Sequence, residues 1–453
     1  MRMMTRCVVA LAATATLGGC SLDLQSPNNP TEVQVTSSPE GVIALATGLQ
    51  GRFAASAFNF AYMAGLVTDE FAATSAALIS ISEAEQGSVA PGTGVAENVF
   101  NSIYRTVRTA DELLAGADRL AGSFDAGTRS GLKALAYTLK AEALGEALQS
   151  YQRIPINTFN VTTPVYVARS EALPYVRALL DSAAAQLAGT APSTFFITQI
   201  LTPGVNLPNM INMFRARYAR MANDFPAALA AANLVPRAGP GALSVLTYPA
   251  PGVNPYSNVT GGTNGIAPRR QFRTSMAAAD QRFGYFVIPS TTLSGRIGAL
   301  LDPFSIRFAI ASATQPVYFP DEALLIKAEA LAVANDVPGA VAALDSVRTD
   351  CTARAVDDPK ACLPAITGSQ SQSSIAIEVI TQRRFELFGT GLRWEDTRRS
   401  NGIRGPAAAP QVPNGGQRCW LPYAIGDRNA NAGNVPADPV EPAPSATGVS
   451  CQT

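Results

Sequence analysis

RRFELFGTGLRWEDTRR, residues 383–399, is the stretch whose reading decides the fold. Eight of its seventeen residues are charged, in a chain where charged residues make up only 15%. Phe385, Leu387, Phe388, Leu392 and Trp394 are interleaved with the charges, and Gly389 and Gly391 break the run. Arg383, Arg384 and Glu386 fall on the last turns of a predicted helix. Gly389 ends it, because glycine takes the left-handed conformation that helix ends need. Arg393, Glu395 and Asp396 follow within reach. An arginine can fork onto a carboxylate while its stem covers apolar side chains such as Phe388 and Trp394. Arg383, Arg384, Glu386, Arg393, Trp394 and Asp396 therefore read as a structural lock between a helix end and the turn after it. No nucleophile–base arrangement is evident, although the spacing would permit Glu386 and Asp396 to pair.

The chain has 453 residues, 47% of them apolar, which is ample for a packed core. Its 34 basic and 34 acidic residues balance, so no global field favours nucleic acid. Histidine is absent. That excludes Ser-His-Asp and Cys-His catalysis and every imidazole-bound zinc site. Carboxylate-only chemistry stays open. No cofactor or metal site is expected.

The first residues, MRMMTRCVVALAATATLGGC, read as a leader. Arg2 and Arg6 supply its positive end, and Val8 to Leu17 is too short to anchor stably across a bilayer. Leu17-Gly18-Gly19-Cys20 resembles the lipobox of bacterial lipoproteins. Residues 1–19 are expected to be removed and Cys20 to carry lipid. A plain secretory leader with an incidental cysteine is the alternative. Several acyl chains would hold the protein firmly, at about 0.8 kcal/mol per buried methylene. Residues 20–35 are polar and turn-rich, as a tether would be. The remaining cysteines, Cys351, Cys362, Cys419 and Cys451, suggest disulfides in an exported chain. Four cysteines allow three pairings. Cys351–Cys362 with Cys419–Cys451 is favoured, because the first pair closes a short loop between two helices.

Residues 36–453 read as one domain, mainly α. Helical periodicity marks 97–121, with Phe100, Ile103, Tyr104, Val107, Leu114 and Ala117 on one face, and 128–150, with Leu132, Leu135, Leu139 and Ala143. A third helix spans 171–188, with Ser170 as its cap and Pro174 in the first turn. An internal repeat appears as well. LKAEAL at 139–144 returns as IKAEAL at 326–331, and NDFPAALAAA at 223–232 as NDVPGAVAAL at 335–344. In the Asn-Asp copies a helix ends, a turn follows and proline opens the next helix. This is helix-turn-helix repetition of the tetratricopeptide kind. Two long stretches, 72–96 and the insertion around 236–318, read as non-helical, and such loops usually serve function. The tail from 404 has little periodicity.

These residues carry a family likeness. The block at 383–399 resembles the signature of the SusD/RagB-like outer-membrane nutrient-binding lipoproteins, an Arg-Arg-x-Glu-Leu helix leading to Gly-x-Gly-x-Arg-Trp and an Asp. YFPDEALLIKAEALA at 318–332, CWLPYAIGDRNANAG at 419–433, LDLQSPNNPTE after Cys20 and ARSEALPYVRALLDSAAAQL at 168–187 also fit, in the right order. Family members typically carry more tryptophan and tyrosine in ligand-facing loops. This chain has two tryptophans in all and no aromatic at 72–96.

The resemblance implies a tetratricopeptide-like helical scaffold presenting irregular loops. It also implies a lipoprotein anchored in the outer membrane and facing outward. Such a protein binds an oligosaccharide or peptide and delivers it to a TonB-dependent β-barrel transporter. Candidate ligand contacts are Phe58, Tyr62, Asp69 and Glu70 in FNFAYMAGLVTDEF, and Tyr256 and Tyr285 in the insertion. Aromatics stack on sugar faces, and carboxylates accept hydroxyl hydrogen bonds. Core packing is the competing reading for each aromatic, and a salt bridge for Asp69 and Glu70. A periplasmic interaction scaffold would explain the repeats but not the insertion, and no motif supports a two-carboxylate glycosidase.

Overall fold

A computed structural model describes residues 36–239, 241–248, 252–352, 358–399 and 418–441. The leader, Cys20, the tether and Cys451 lie outside the described residues. Helices dominate: α1 (Pro39–Leu66), α2 (Ile79–Glu85), α3 (Gly94–Arg119), α4 (Ala126–Ser150), α5 (Arg169–Gly189), α6 (Leu207–Met221), α7 (Phe225–Ala232), α8 (Pro320–Val333), α9 (Val337–Arg348), α10 (Gln372–Glu386), α11 (Leu392–Arg399) and α12 (Ile425–Ala430). Among the described residues no helix is long and apolar enough to cross a membrane.

The helices form an array. α3 packs on α1, α4 on α3, α5 on α4, α6 on α5, α7 on α6, α8 on α7 and α9 on α8, with α10 closing against α8 and α9. The repeat read from the sequence has one physical basis in both copies. α6 and α8 end with Asn223 and Asn335 in the left-handed region, φ 57° and 62°. The Asp224 and Asp336 amides donate back to the carbonyls of Ala219 and Leu331, both at 2.9 Å. Each aspartate then caps the next helix, accepting from Ala227 or Gly339. Asn-Asp-x-Pro thus encodes a Schellman stop and an N-cap in four residues. The LKAEAL echo is looser, because α4 runs on to Ser150 and into a strand with no such turn.

α4 is the central helix, buried on all sides from Thr138 to Ser150. Its polar residues therefore need partners. Lys140 pairs with Asp111 at 2.6 Å, Glu142 receives Arg217 at 2.5 Å and the Tyr218 hydroxyl at 2.7 Å, and Ser56 donates to Glu146. α1 is similarly enclosed. Phe60 to Leu66 are all buried, so no amphipathic stripe announces this helix in the sequence.

Three expectations need correction. Residues 72–96 are not wholly irregular: α2 forms there, burying Ile81 and Ala84, and α3 starts at Gly94. α5 starts at Arg169 after Ala168, so Pro174 lies inside the helix rather than in its first turn. Pro174 and Ser170 are both exposed, so solvent can satisfy the Ser170 carbonyl that proline leaves without a donor. The segment after Gly391 is a helix, α11, not only a turn.

The insertion is irregular, with single-turn helices at 271–274, 283–286 and 306–309. Short antiparallel strands tie it down. β1 (Phe71–Ala73) pairs with β5 (Ile266–Pro268), and β4 (Val245–Leu246) with β6 (Gln315–Pro316). A third pair, β2 (Arg153–Pro155) with β3 (Tyr166–Ala168), links α4 to α5. The insertion's aromatics enter the core: Phe272 stacks on Phe388 at 3.8 Å, and Phe286 and Phe304 pack edge-on to Phe388 and Phe71.

Candidate ligand-binding cleft

The charged block at 383–399 is buried and paired. Arg383 Nε meets Asp396 Oδ2 at 2.7 Å, and Arg220 Nη1 meets the other oxygen at 2.9 Å. Burial alone would raise the Asp396 carboxyl, but Arg383 and Arg220 outweigh it and hold it at about 2. Glu386 pairs with Arg282 at 3.3 Å, not with Asp396, and burial lifts its carboxyl well above the usual range. Arg398 lies over the Trp394 and Trp420 rings while its Nη2 reaches Glu395 at 3.0 Å. The Trp394 indole N–H donates to the Arg418 carbonyl at 2.7 Å. Gly389 and Gly391 adopt φ 73° and 83°. These contacts fasten α10, α11, α6 and the C-terminal segment together.

Two ligand candidates belong to this network. Asp69 is 2% exposed and takes Arg393 at 2.8 Å and Arg384 at 3.0 Å. Its own burial works against ionisation, yet the two arginines keep it well below the usual carboxylate range. Glu70 is equally buried and accepts the Gly389 N–H at 3.3 Å. Burial, then the Asp69 charge beside it, pushes Glu70 up to about 8. Neither carboxylate reaches solvent, so neither is available to a ligand.

The aromatic candidates divide. Tyr256 is 4% exposed and donates its hydroxyl to the Gly389 carbonyl at 2.7 Å, which makes it a core residue. Tyr285 packs on Phe286 and Phe319, with Arg307 over its ring. Phe58 is half-buried, and Tyr62 packs against it with ring centroids 5.8 Å apart. Tyr256 buttresses Phe58 edge-on at 5.0 Å.

Phe58 and Tyr62, four residues apart on α1, share one face and form the floor of a cleft of about 280 Å³. Leu78, Ser80 and Ile81 of the α2 segment make one wall, and Gly94, Val95 and Asn98 at the start of α3 make another. Val259 and Asn264 of the insertion close it, held by the Tyr62 hydroxyl donating to the Asn264 carbonyl at 3.0 Å and the Leu78 N–H donating to Thr263 at 2.8 Å. Its volume lies just below the roughly 300–1,000 Å³ range of ligand pockets. The polar lining is Asn59, Asn98, Asn264 and Ser80. Sequence reading missed these residues. Only the Phe58-Asn59-Phe60 run, a polar residue between two aromatics on a helix, hinted at any of them.

Behind Phe58 lies a second space of about 70 Å³, whose lining includes Glu142, Glu146, Arg217 and Tyr256. That is room for about two waters, not a sugar. Elsewhere, Asp321, Asp350 and Asp358 converge. Arg237 and Lys360 meet this cluster, with Arg237 2.9 Å from Asp321 and Lys360 3.2 Å from Asp350. The nearby Cys351–Cys362 disulfide is formed, with Cα atoms 4.5 Å apart. Cys419 is also disulfide-bonded, and Cys451, the partner the sequence favours for it, lies outside the described residues.

Comparison with known proteins agrees with this architecture. Residues 317–431 match the SusD family. No relative is found among curated protein sequences. A SusD superfamily protein from Bacteroides fragilis superposes with a TM-score of 0.67 at 12% identity, covering 87% of this chain and 98% of that one. A SusD homolog from Bacteroides thetaiotaomicron gives 0.66 at 12% identity, covering 91% and 100%. Surface glycan-binding protein A from Bacteroides uniformis gives 0.65 at 15% identity, covering 86% and 99%. The fold is thus shared with SusD superfamily structures along most of the chain, and the match to the SusD family covers the C-terminal part that contains the 383–399 block.

Proposed function

We propose that the protein captures an oligosaccharide in the Phe58 cleft. It does so as a lipid-anchored outer-membrane protein facing outward, and it passes the ligand to a TonB-dependent β-barrel transporter. The observation that carries the binding role is the cleft's chemistry. One aromatic face, flanked by Leu78 and Val95, sits beside three asparagines and a serine. A sugar ring is apolar on its faces and hydroxylated round its edge, so it stacks on the one and hydrogen-bonds to the other. The fold shared with a surface glycan-binding protein supports the same reading. Cys20 and the leader support the anchor, and the family resemblance supports the transporter.

The lining supports binding without glycoside hydrolysis. Glycoside hydrolysis needs two carboxylates flanking the bond, and no carboxylate is among the described residues that line the cleft. Titration calorimetry with an oligosaccharide panel tests capture. The expected result is binding that Phe58→Ala weakens by at least about fivefold, taking the ~1–3 kcal/mol of a nucleobase stacked on an aromatic ring as the scale. Binding that survives Phe58→Ala unchanged removes the cleft from the account. Detergent extraction of the lipidated protein tests delivery. A co-purifying large β-barrel supports it, and recovery of the protein alone counts against it.

A further inference from the structure

The lining of the cleft also bears on which sugars it takes, an inference that rests on the carbohydrate-binding reading. We infer that the cleft selects neutral oligosaccharides and rejects those carrying uronate or sulfate at the stacked unit. Its described lining contains no lysine, arginine, aspartate or glutamate. Three charged side chains of neighbouring segments are turned to other partners. Arg296 donates to the Ala77 carbonyl at 2.6 Å, behind the Leu78 wall. Arg269 is buried against Glu85 at 2.6 Å. Glu97, next to Asn98, accepts the Ile425 N–H at 2.5 Å.

An anionic sugar entering this space would give up carboxylate or sulfate hydration and find no cation in return. A hydroxyl both donates and accepts. An asparagine amide offers both functions as well, with one carbonyl oxygen and two N–H groups. Asn59, Asn98 and Asn264 therefore match hydroxyls and leave an anion only half served.

The test is an array of immobilised oligosaccharides at low ionic strength, where screening does not mask charge. It holds neutral glucan, xylan, mannan and galactan oligomers beside uronate oligomers and sulfated oligomers. Wild type, Phe58→Ala and Asn98→Lys are applied. Neutral members are expected to bind at least about tenfold tighter than acidic ones, with that binding lost in Phe58→Ala. Asn98 is exposed on α3, so Asn98→Lys folds and is expected to raise acidic binding about two- to fivefold, the yield of a solvent-facing ion pair. Acidic members binding wild type as tightly as neutral ones, through Phe58, would overturn the selectivity and leave the carbohydrate reading standing. Binding indifferent to Phe58→Ala, or no acidic gain in Asn98→Lys, also overturns it. No binding to any member overturns the carbohydrate reading itself.

Discussion

Glu70 offers a test of the buried network in which most other contributions cancel. It is 2% exposed, its Oε1 accepts the Gly389 N–H, and its Oε2 has no hydrogen-bond partner among the described residues. The arginines nearby are bonded to Asp69. Glu70 titrates at about 8 in the fold, against about 4.3 in an unfolded chain. Between those values the folded state holds a proton that the unfolded state lacks. Stability therefore falls as pH rises through this window, by at most about 1.4 kcal/mol per unit, and levels off above the folded value. Gln at this position keeps the acceptor for Gly389 and never ionises. From about pH 5.5 to about pH 9, wild type is expected to lose roughly 3 kcal/mol relative to Glu70→Gln. Urea unfolding of both proteins across that range, followed by the fluorescence of buried Trp394 and Trp420, measures the difference. The two proteins share every other titrating group, so parallel curves would refute the account of a protonated Glu70.

Other perturbations have equally definite outcomes. Asp396→Asn leaves Arg383 buried without its counter-charge and Arg220 with Glu329 alone, and should cost about 3–5 kcal/mol in denaturant unfolding; a cost under ~1 kcal/mol would mean the lock contributes little. The stability that ionised Asp396 contributes should be complete above about pH 4 and fade as pH falls towards its folded value of about 2, so acid unfolding of wild type relative to Asp396→Asn checks the sign. Gly391→Ala forces a side chain onto φ 83°, with its Cβ 2.5 Å from the Phe60 ring, and should lower the melting temperature with a loss above ~2 kcal/mol. Asn223 and Asn335 occupy the same place in two copies of one turn. Each should tolerate Gly within ~0.5 kcal/mol and lose ~1–2 kcal/mol as Ala, by calorimetry. Replacing Cys351 and Cys362 together by Ser should cost roughly 2–3 kcal/mol, because an unfolded chain without the bridge regains loop entropy, while glycan affinity stays unchanged.

What the sequence determined by itself is local. Helix periodicity placed α3 and α4, and Asn-Asp-x-Pro placed the stops and caps of the repeat, because those signals depend on residues within a turn or two of each other. The charge density at 383–399, with the arginine stems and two glycines, was enough to read a lock rather than a catalytic centre. Which carboxylate each arginine meets was not legible. Arg393 and Asp69 stand 324 residues apart and Arg220 and Asp396 176, so only the packing of the whole array brings them together. The same distinction separates Phe58 from Tyr256. Both are aromatics that sequence reading offers as ligand contacts, but one ends half-exposed over a cleft and the other behind it, holding Gly389. The cleft draws on α1, α2, α3 and the insertion, four segments with no shared pattern. Its asparagines meet because long-range core packing, not neighbouring residues, fixes where those segments lie.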